Sequence, residues 1–274
     1  MSFETRGAIA PDHPTVSYPG SSLRFRAPAG DPTHAHVLCL GGTETFGRYV
    51  DDPYPAQLAN RITAPVINMG VAGAGLDVLL SDGAIVNARA SASAIVLQIQ
   101  GAQALSNRLY TVHPRRNDRF VRASDVLRTI YWDVDFTEFH FIRHMLDHLE
   151  ALSPDRFDIV RNELRVAWMA RMKHILCKAK VPVHLLWLSC RAPRNEDPQD
   201  TLCDEPMFVT SDMLDAASKL AASLSVVVTR PEMSRPERGD PPALSRDVAA
   251  ARLLPGAKAH MQAAEKLARI LETQ

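Results

Sequence analysis

A chain of 274 residues can bury one sizeable core, so a single domain with at most one large insertion is expected. Lysine plus arginine and aspartate plus glutamate number 31 each, which leaves no global field to favour nucleic acid, an anionic membrane surface or an acidic polymer as partner. The segment MSFETRGAIAPDHP has no basic stretch followed by an apolar one, no run approaches the roughly 20 apolar residues that span a bilayer, and Cys39, Cys177, Cys190 and Cys203 lack C-x-x-C spacing. A cytoplasmic protein with reduced, mainly interior cysteines, no metal and no cofactor is therefore expected.

Residues 1–34 are rich in Pro, Gly and Ser and read as an N-terminal arm, with LRF at 23–25 as an edge strand. Apolar runs and helical patterns then alternate: VLCL at 37–40, a helix near 55–62, PVINM at 65–69, a helix near 76–90, and AIVLQIQ at 94–100. The alternation resumes with VPVHLLWL at 181–188, a helix opened by Thr210-Ser211-Asp212 and running to about 224, SVVVT at 225–229, and a last helix over about 255–271. Near-continuous apolar strands separated by helices predict a three-layer α/β/α fold around a parallel sheet over residues 35–274.

Between these stretches, RLYTVHPRRNDRFVRASDVLRT at 108–129 is strongly basic, and FTEFHFIRHMLDHLEALSPDRF reads as an amphipathic helix ending near Ser153-Pro154. Residues 109–155 are taken as a helical insertion or cap near the sheet mouth. Its Phe139, Phe141, Ile142, Met145 and Leu146 are more apolar surface than one face readily hides, which points to a homo-oligomer contact. His140, His144 and His148 recur every four residues, but three turns spread them over roughly 12 Å, too far for one ion. A polar interface stripe is the preferred reading.

In an open parallel sheet, ligands gather at the carboxyl ends of the strands. Three such ends carry unusual residues: GGTETFG at 41–47, NMGVAGAG at 68–75 and GAQALSNR at 101–108. Their glycines let backbone N–H groups approach a ligand closely, as an oxyanion hole or anion nest requires.

In this order the three segments resemble the blocks of the SGNH hydrolase superfamily of esterases, lipases and carbohydrate acetylesterases. Its G-D-S-x-T-x-G is similar to Gly41–Gly47, with Thr43 at the nucleophile and Gly42 replacing the aspartate. Its N-x-G-x-x-G is matched by Asn68, Gly70 and Gly73, and Gln103 stands where its oxyanion asparagine would be. Its D-x-x-H-P block is not matched: Pro255 aligns with the proline, placing Ala251 and Leu254 at the aspartate and histidine. The chain is further similar to an alphaproteobacterial family of no assigned function sharing GGTET and YTVHPRRNDRF segments.

The resemblance implies a flavodoxin-like sheet and ester chemistry, with Thr43 as nucleophile and Gly73 and Gln103 as oxyanion donors. A threonine hydroxyl needs a base within about 3 Å. Glu44 adjoins Thr43, but neighbours seldom point at each other. His260 lies inside the last helix and is expected to face the sheet or solvent, so His113, leaving the carboxyl edge, is the preferred base. Gly41, Gly42, Glu44, Asn68, Asn107, Arg108, Arg115, Arg116 and Asn117 complete the expected ligand set. Two functions follow: an esterase or acyl/acetyl transferase acting on a small ester or carbohydrate, or a degenerate fold that binds an anionic saccharide, nucleotide or sulfated ligand through Arg115 and Arg116.

Overall fold

The computed structural model describes residues 13–195, 205–229 and 254–272. A small ladder of β1 (Thr15–Val16) and β2 (Phe25–Arg26) precedes the first core strand, β3 (His36–Gly41). There follow α1 (Thr43–Phe46), α2 (Tyr54–Ala59), β4 (Val66–Gly70), α3 (Leu76–Ser81), α4 (Gly83–Ser91) and β5 (Ala92–Gln98). A hairpin of β6 (Tyr110–His113) and β7 (Arg116–Ala123) leads to α5 (Asp125–Ile130), a 3-10 turn at Phe136–Glu138, α6 (Ile142–Leu152) and the long α7 (Pro154–Lys178). The chain then forms β8 (Val183–Ser189), α8 (Ser211–Ser218), β9 (Ser223–Val228) and α9 (Ala257–Leu271).

Five strands form one parallel sheet in the order β4-β3-β5-β8-β9, flanked by helices, which is the expected α/β class. The chain moves from β3 outward to β4 and then crosses back to β5 on the other side. The direction of winding therefore reverses between β3 and β5, and a crevice opens outside their carboxyl ends.

Successive strand residues point to opposite faces, and the apolar runs are long because both faces are covered. Leu38, Leu40, Ile95, Leu97, Leu185 and Trp187 pack into one core with residues of α3, α4 and α7. Val37, Cys39, Val96, Leu186 and Leu188 face the other, where Tyr54 and Leu58 of α2 meet Ala259, Ala263, Ala264 and Leu267 of α9. The alanines of α9 let that helix lie close on the sheet.

Several boundaries differ from the sequence reading. The helix expected over 76–90 is broken at Asp82, whose Oδ1 accepts from Ala84 N (3.0 Å) and Ile85 N (3.2 Å) and so caps a new helix. The helix opened at Thr210 ends at Ser218 rather than near 224, because β9 already starts at Ser223. Phe25 pairs with Val16 off the main sheet, not on its edge. The basic stretch folds as the β6–β7 hairpin, and α6 becomes helical only at Ile142.

Phe139, Ile142, Met145 and Leu146 are buried in the chain's own core, leaving Phe141 at 44 % exposure. The apolar excess that suggested an oligomer contact is thus absorbed internally. Cys39 is buried, but Cys177 is exposed and Cys190 half-buried; Cys203 and Ala251 lie outside the described residues. Among the described residues no helix is long and apolar enough to cross a membrane.

Candidate active site at the carboxyl edge of the sheet

The crevice between β3 and β5 is an open cleft of about 770 Å³, within the range of small-molecule sites. Its floor is the turn from β3 into α1. Gly41 allows this turn to sit on the neighbouring strand: a Cβ there would lie 2.4 Å from Gln98 Oε1. Thr43 opens α1, and Gly73 N–H, presented by a left-handed backbone (φ 72°), donates to Thr43 Oγ1 at 3.3 Å. An L side chain is strained at that φ, which accounts for glycine there.

Gln98, the last residue of β5, joins the turn to the sheet. Its Oε1 accepts from Gly42 N (3.0 Å) and Thr45 Oγ1 (2.7 Å), and its Nε2 donates to Glu44 Oε2 (2.7 Å). Burial in the cleft wall pushes the Glu44 carboxyl up to about 6; the Gln98 bond opposes this, and Glu205 adds to it. A carboxyl in that range can exchange protons near neutral pH.

The wall beyond β5 carries Gln100 and Gln103. Gln100 Nε2 donates to Ala74 O (3.0 Å) and Gln103 Nε2 to Glu205 Oε1 (3.0 Å), which also receives Arg143 Nη2 (2.6 Å). The backbone is fixed from behind, since Trp168 Nε1 donates to Gln100 O (2.8 Å) and Tyr110 Oη to Gln103 O (2.7 Å). The hairpin and α6 close the rim with Arg116, Asp118, Phe141, Arg143, His144 and Asp147. Asp118 N donates to Gly73 O (3.3 Å), tying the hairpin to the floor.

Thr43, Gly73, Gln103, Gly42, Glu44 and Arg116 line the cleft together. The other anticipated residues are engaged elsewhere. His113 is not among the lining residues; its Nδ1 accepts from Arg115 N at 3.2 Å within the hairpin turn. Arg115 is exposed, with Nη1 on Ser22 Oγ (3.2 Å). Asn117 is fully buried: its Oδ1 accepts from Gly75 N (2.8 Å) and Val78 N (3.3 Å), its Nδ2 donates to His113 O (3.0 Å), and so it caps α3.

Asn68 braces α1 by donating to Thr45 O (2.9 Å) and accepting from Gly70 N (2.9 Å). Asn107 accepts from Leu109 N (2.8 Å) and Tyr110 N (3.1 Å) to start the hairpin, and Arg108 pairs with the buried Glu163 through its Nε (2.7 Å). These side chains build the loops rather than face the cleft.

His260 is buried where α9 packs on α2, its ring stacked on Tyr54 and its Nδ1 accepting from Tyr54 N at 3.0 Å; burial lowers it to about 4. Burial and the nearby Glu44 raise the Cys190 thiol, which keeps it protonated. Among the described residues the Thr43 hydroxyl donates no hydrogen bond, and Leu254 lines the cleft. Nor do His, Cys, Asp and Glu gather there into a group able to hold a metal ion.

Sequence reasoning missed Gln98, Gln100, Asp118, Arg143, His144, Asp147 and Glu205 as cleft residues. The two glutamines had a signal: amides at alternate positions ending an otherwise apolar strand, AIVLQIQ, are costly to bury unless hydrogen-bonded. His144 stood in the histidine stripe, where its ring and that of His148 flank Phe139 at centroid distances of 5.2 and 5.3 Å. Glu205 had none, because it reaches the cleft from a loop far along the chain.

No curated protein sequence matches the chain. Among solved structures, an extracellular lipase from Streptomyces rimosus is similar with a TM-score of 0.45 and 12 % identity, covering 88 % of this chain and 99 % of that one. The lipase Lip_vut3 from a goat rumen metagenome is similar with a TM-score of 0.35 and 16 % identity, covering 86 % and 96 %. A family model described as Domain of unknown function (DUF6473) matches residues 1–274, and the chain belongs to that family.

Proposed function

We propose that the cleft binds a small ester, acylated saccharides included, and hydrolyses it or transfers its acyl group at Thr43. The observation that carries this reading is the Gly73 N–H donating to Thr43 Oγ1 at 3.3 Å on the cleft floor. It brings together a hydroxyl and a backbone donor held by a positive-φ turn. The contact is long, so the N–H re-aims easily at the oxygen of a carbonyl bound against Thr43.

In this scheme Thr43 Oγ1 attacks the acyl carbon and its proton passes to the Glu44 carboxylate. The leaving alkoxide takes that proton from Glu44, and water or a second alcohol then attacks the acyl carbon, its proton passing through Glu44 to the departing Thr43 Oγ1. Gly73 N–H and the second N–H of Gln103 Nε2 face the developing oxyanion. Glu44 takes the place of the missing histidine because it adjoins Thr43 and burial raises its carboxyl towards neutrality.

A second reading, ligand binding without turnover, is favoured by Leu254 in the cleft and by a Thr43 hydroxyl that makes no hydrogen bond to Glu44 or any other acceptor among the described residues. Hydrolysis of p-nitrophenyl acetate and butyrate, with fluorophosphonate labelling read by mass spectrometry, separates the two. Thr43→Val is expected to lower turnover by about 100-fold or more and to abolish labelling. Equal turnover by the variant would sink the ester reading, and absence of both turnover and labelling in the parent leaves the binding reading.

A further inference from the structure

The Gln100 side chain is more than nine-tenths buried, lines the cleft, and leaves its Oε1 without a hydrogen-bond donor. The orientation of the amide is not arbitrary: Nε2 donates to the Ala74 carbonyl at 3.0 Å, and a flip would set oxygen against oxygen. Gln103 repeats the pattern, its Nε2 on Glu205 and its buried Oε1 unpartnered. Asp118 Oδ1, on the hairpin that borders the same cleft, also lacks a hydrogen bond, with Arg116 Nε 3.9 Å away. A buried acceptor with no donor is costly, so three around one cleft favour a ligand that brings donors to them.

The Gln100 amide stands beside the reacting turn. A Cβ built on Gly42 would lie 3.2 Å from Gln100 Nε2 and 3.6 Å from Glu44 Oε2, so glycine there leaves room for this wall next to Thr43. An anionic group offers only acceptors and would face acceptors. The cleft cations are also partly answered, Arg143 by Glu205 at 2.6 Å and Arg116 by Asp118. A hydroxyl both donates and accepts, so it suits Gln100 Oε1 and Asp118 Oδ1 as well as the unpartnered Arg48 Nε on the same rim. An ammonium group suits the acceptors alone.

We propose that the Gln100 wall, together with Asp118 in the same cleft, selects a hydroxyl-bearing neutral or amino saccharide and rejects anionic ones. The inference rests on the reading of this cleft as the substrate site, and it names the substrate class. It is tested by binding in the Thr43→Val background, so that failure of the chemistry and failure of the selectivity are read apart.

The probes are D-glucosamine, D-glucose, D-glucuronate and inorganic sulfate, each at about 50 mM and equal ionic strength, with an expected rise in melting temperature of about 2 °C for the first two and none for the others. The rise should vanish in Gln100→Leu and in Asp118→Asn. The latter sits on the half-exposed hairpin and leaves the core untouched, so it keeps the test valid where Gln100→Leu fails to fold. Stabilisation by glucuronate or sulfate matching that by glucosamine overturns the proposal. So does the absence of any shift with glucosamine and glucose, or a shift that survives in Asp118→Asn.

Discussion

Gln98 Nε2 donates to Glu44 Oε2 at 2.7 Å while Gln98 Oε1 accepts from the Gly42 N–H and the Thr45 hydroxyl. One amide at the end of β5 therefore fixes both the turn that carries Thr43 and the carboxyl beside it. The same connection makes the proton state of Glu44 a property of the fold, because unfolding releases the carboxyl to water.

Glu44 is raised in the folded chain to about 6 from 4.5. Between these values the native state holds more protons than the unfolded one, so stability falls as pH rises through the window. Below 4.5 the carboxyl is neutral in both states and the penalty is absent. Glu44→Gln is expected to remove this slope and to stabilise the protein by about 1 kcal/mol at neutral pH relative to pH 4.5. Denaturant unfolding at a series of pH values measures it; a parent and variant with parallel stability profiles contradict the placement of this charge.

His260 slopes the other way. Its folded value is lowered to about 4 from 6.5, and its Nδ1 is held as an acceptor by Tyr54 N–H. The unfolded chain therefore takes up a proton first as pH falls. Stability is full above 6.5 and is lost as pH drops towards 4, by about 2–3 kcal/mol from this group. His260→Gln should flatten the acid limb while costing about 1–2 kcal/mol at neutral pH through a poorer acceptor. An acid limb unchanged by the substitution rules out the buried imidazole as its source.

The central sheet was legible because its strands are buried on both faces and so read as continuous apolar runs between helical patterns. The positions of Thr43 and Gly73 were legible for a related reason: glycines clustered just after such strands mark where backbone turns sharply. The hairpin residues misled. His113, Arg115 and Asn117 look like a ligand-binding set in YTVHPRRNDRF, but strand alternation and the tight turn aim Asn117 into the protein and Arg115 out of it. Gln103 and Glu205 meet across a long stretch of chain, and no local pattern encodes that contact.

Asn117 gives a direct test of the hairpin's attachment. It lies between Arg116 and Asp118, both on the cleft rim, and its amide satisfies Gly75 N and Val78 N at the start of α3. Asn117→Ala leaves two buried donors without an acceptor and removes the bond to His113 O within the hairpin, a loss of about 2–4 kcal/mol. Because Arg116 and Asp118 move with the hairpin, ligand affinity should fall as well. A variant that is destabilised yet binds the amino saccharide as tightly as the parent would separate the two effects and show that the rim does not contact ligand.

Leu254 offers the reverse experiment, building a function in place of removing one. It lines the same cleft as Thr43, at the position where the resemblance to SGNH hydrolases puts a histidine, so a polar side chain there is added to the cleft wall. A neutral imidazole in that wall is a better proton acceptor for the threonine hydroxyl than Glu44, whose Oε2 is already bound by Gln98. Leu254→His is expected to raise p-nitrophenyl acetate turnover by about tenfold or more, well inside the usual yield of general base catalysis, with a new rise in rate centred near the imidazole pKa. The gain should disappear in Leu254→His combined with Thr43→Val. A gain that persists in the double variant would belong to the imidazole acting on ester or water by itself, and would remove Thr43 from the reaction.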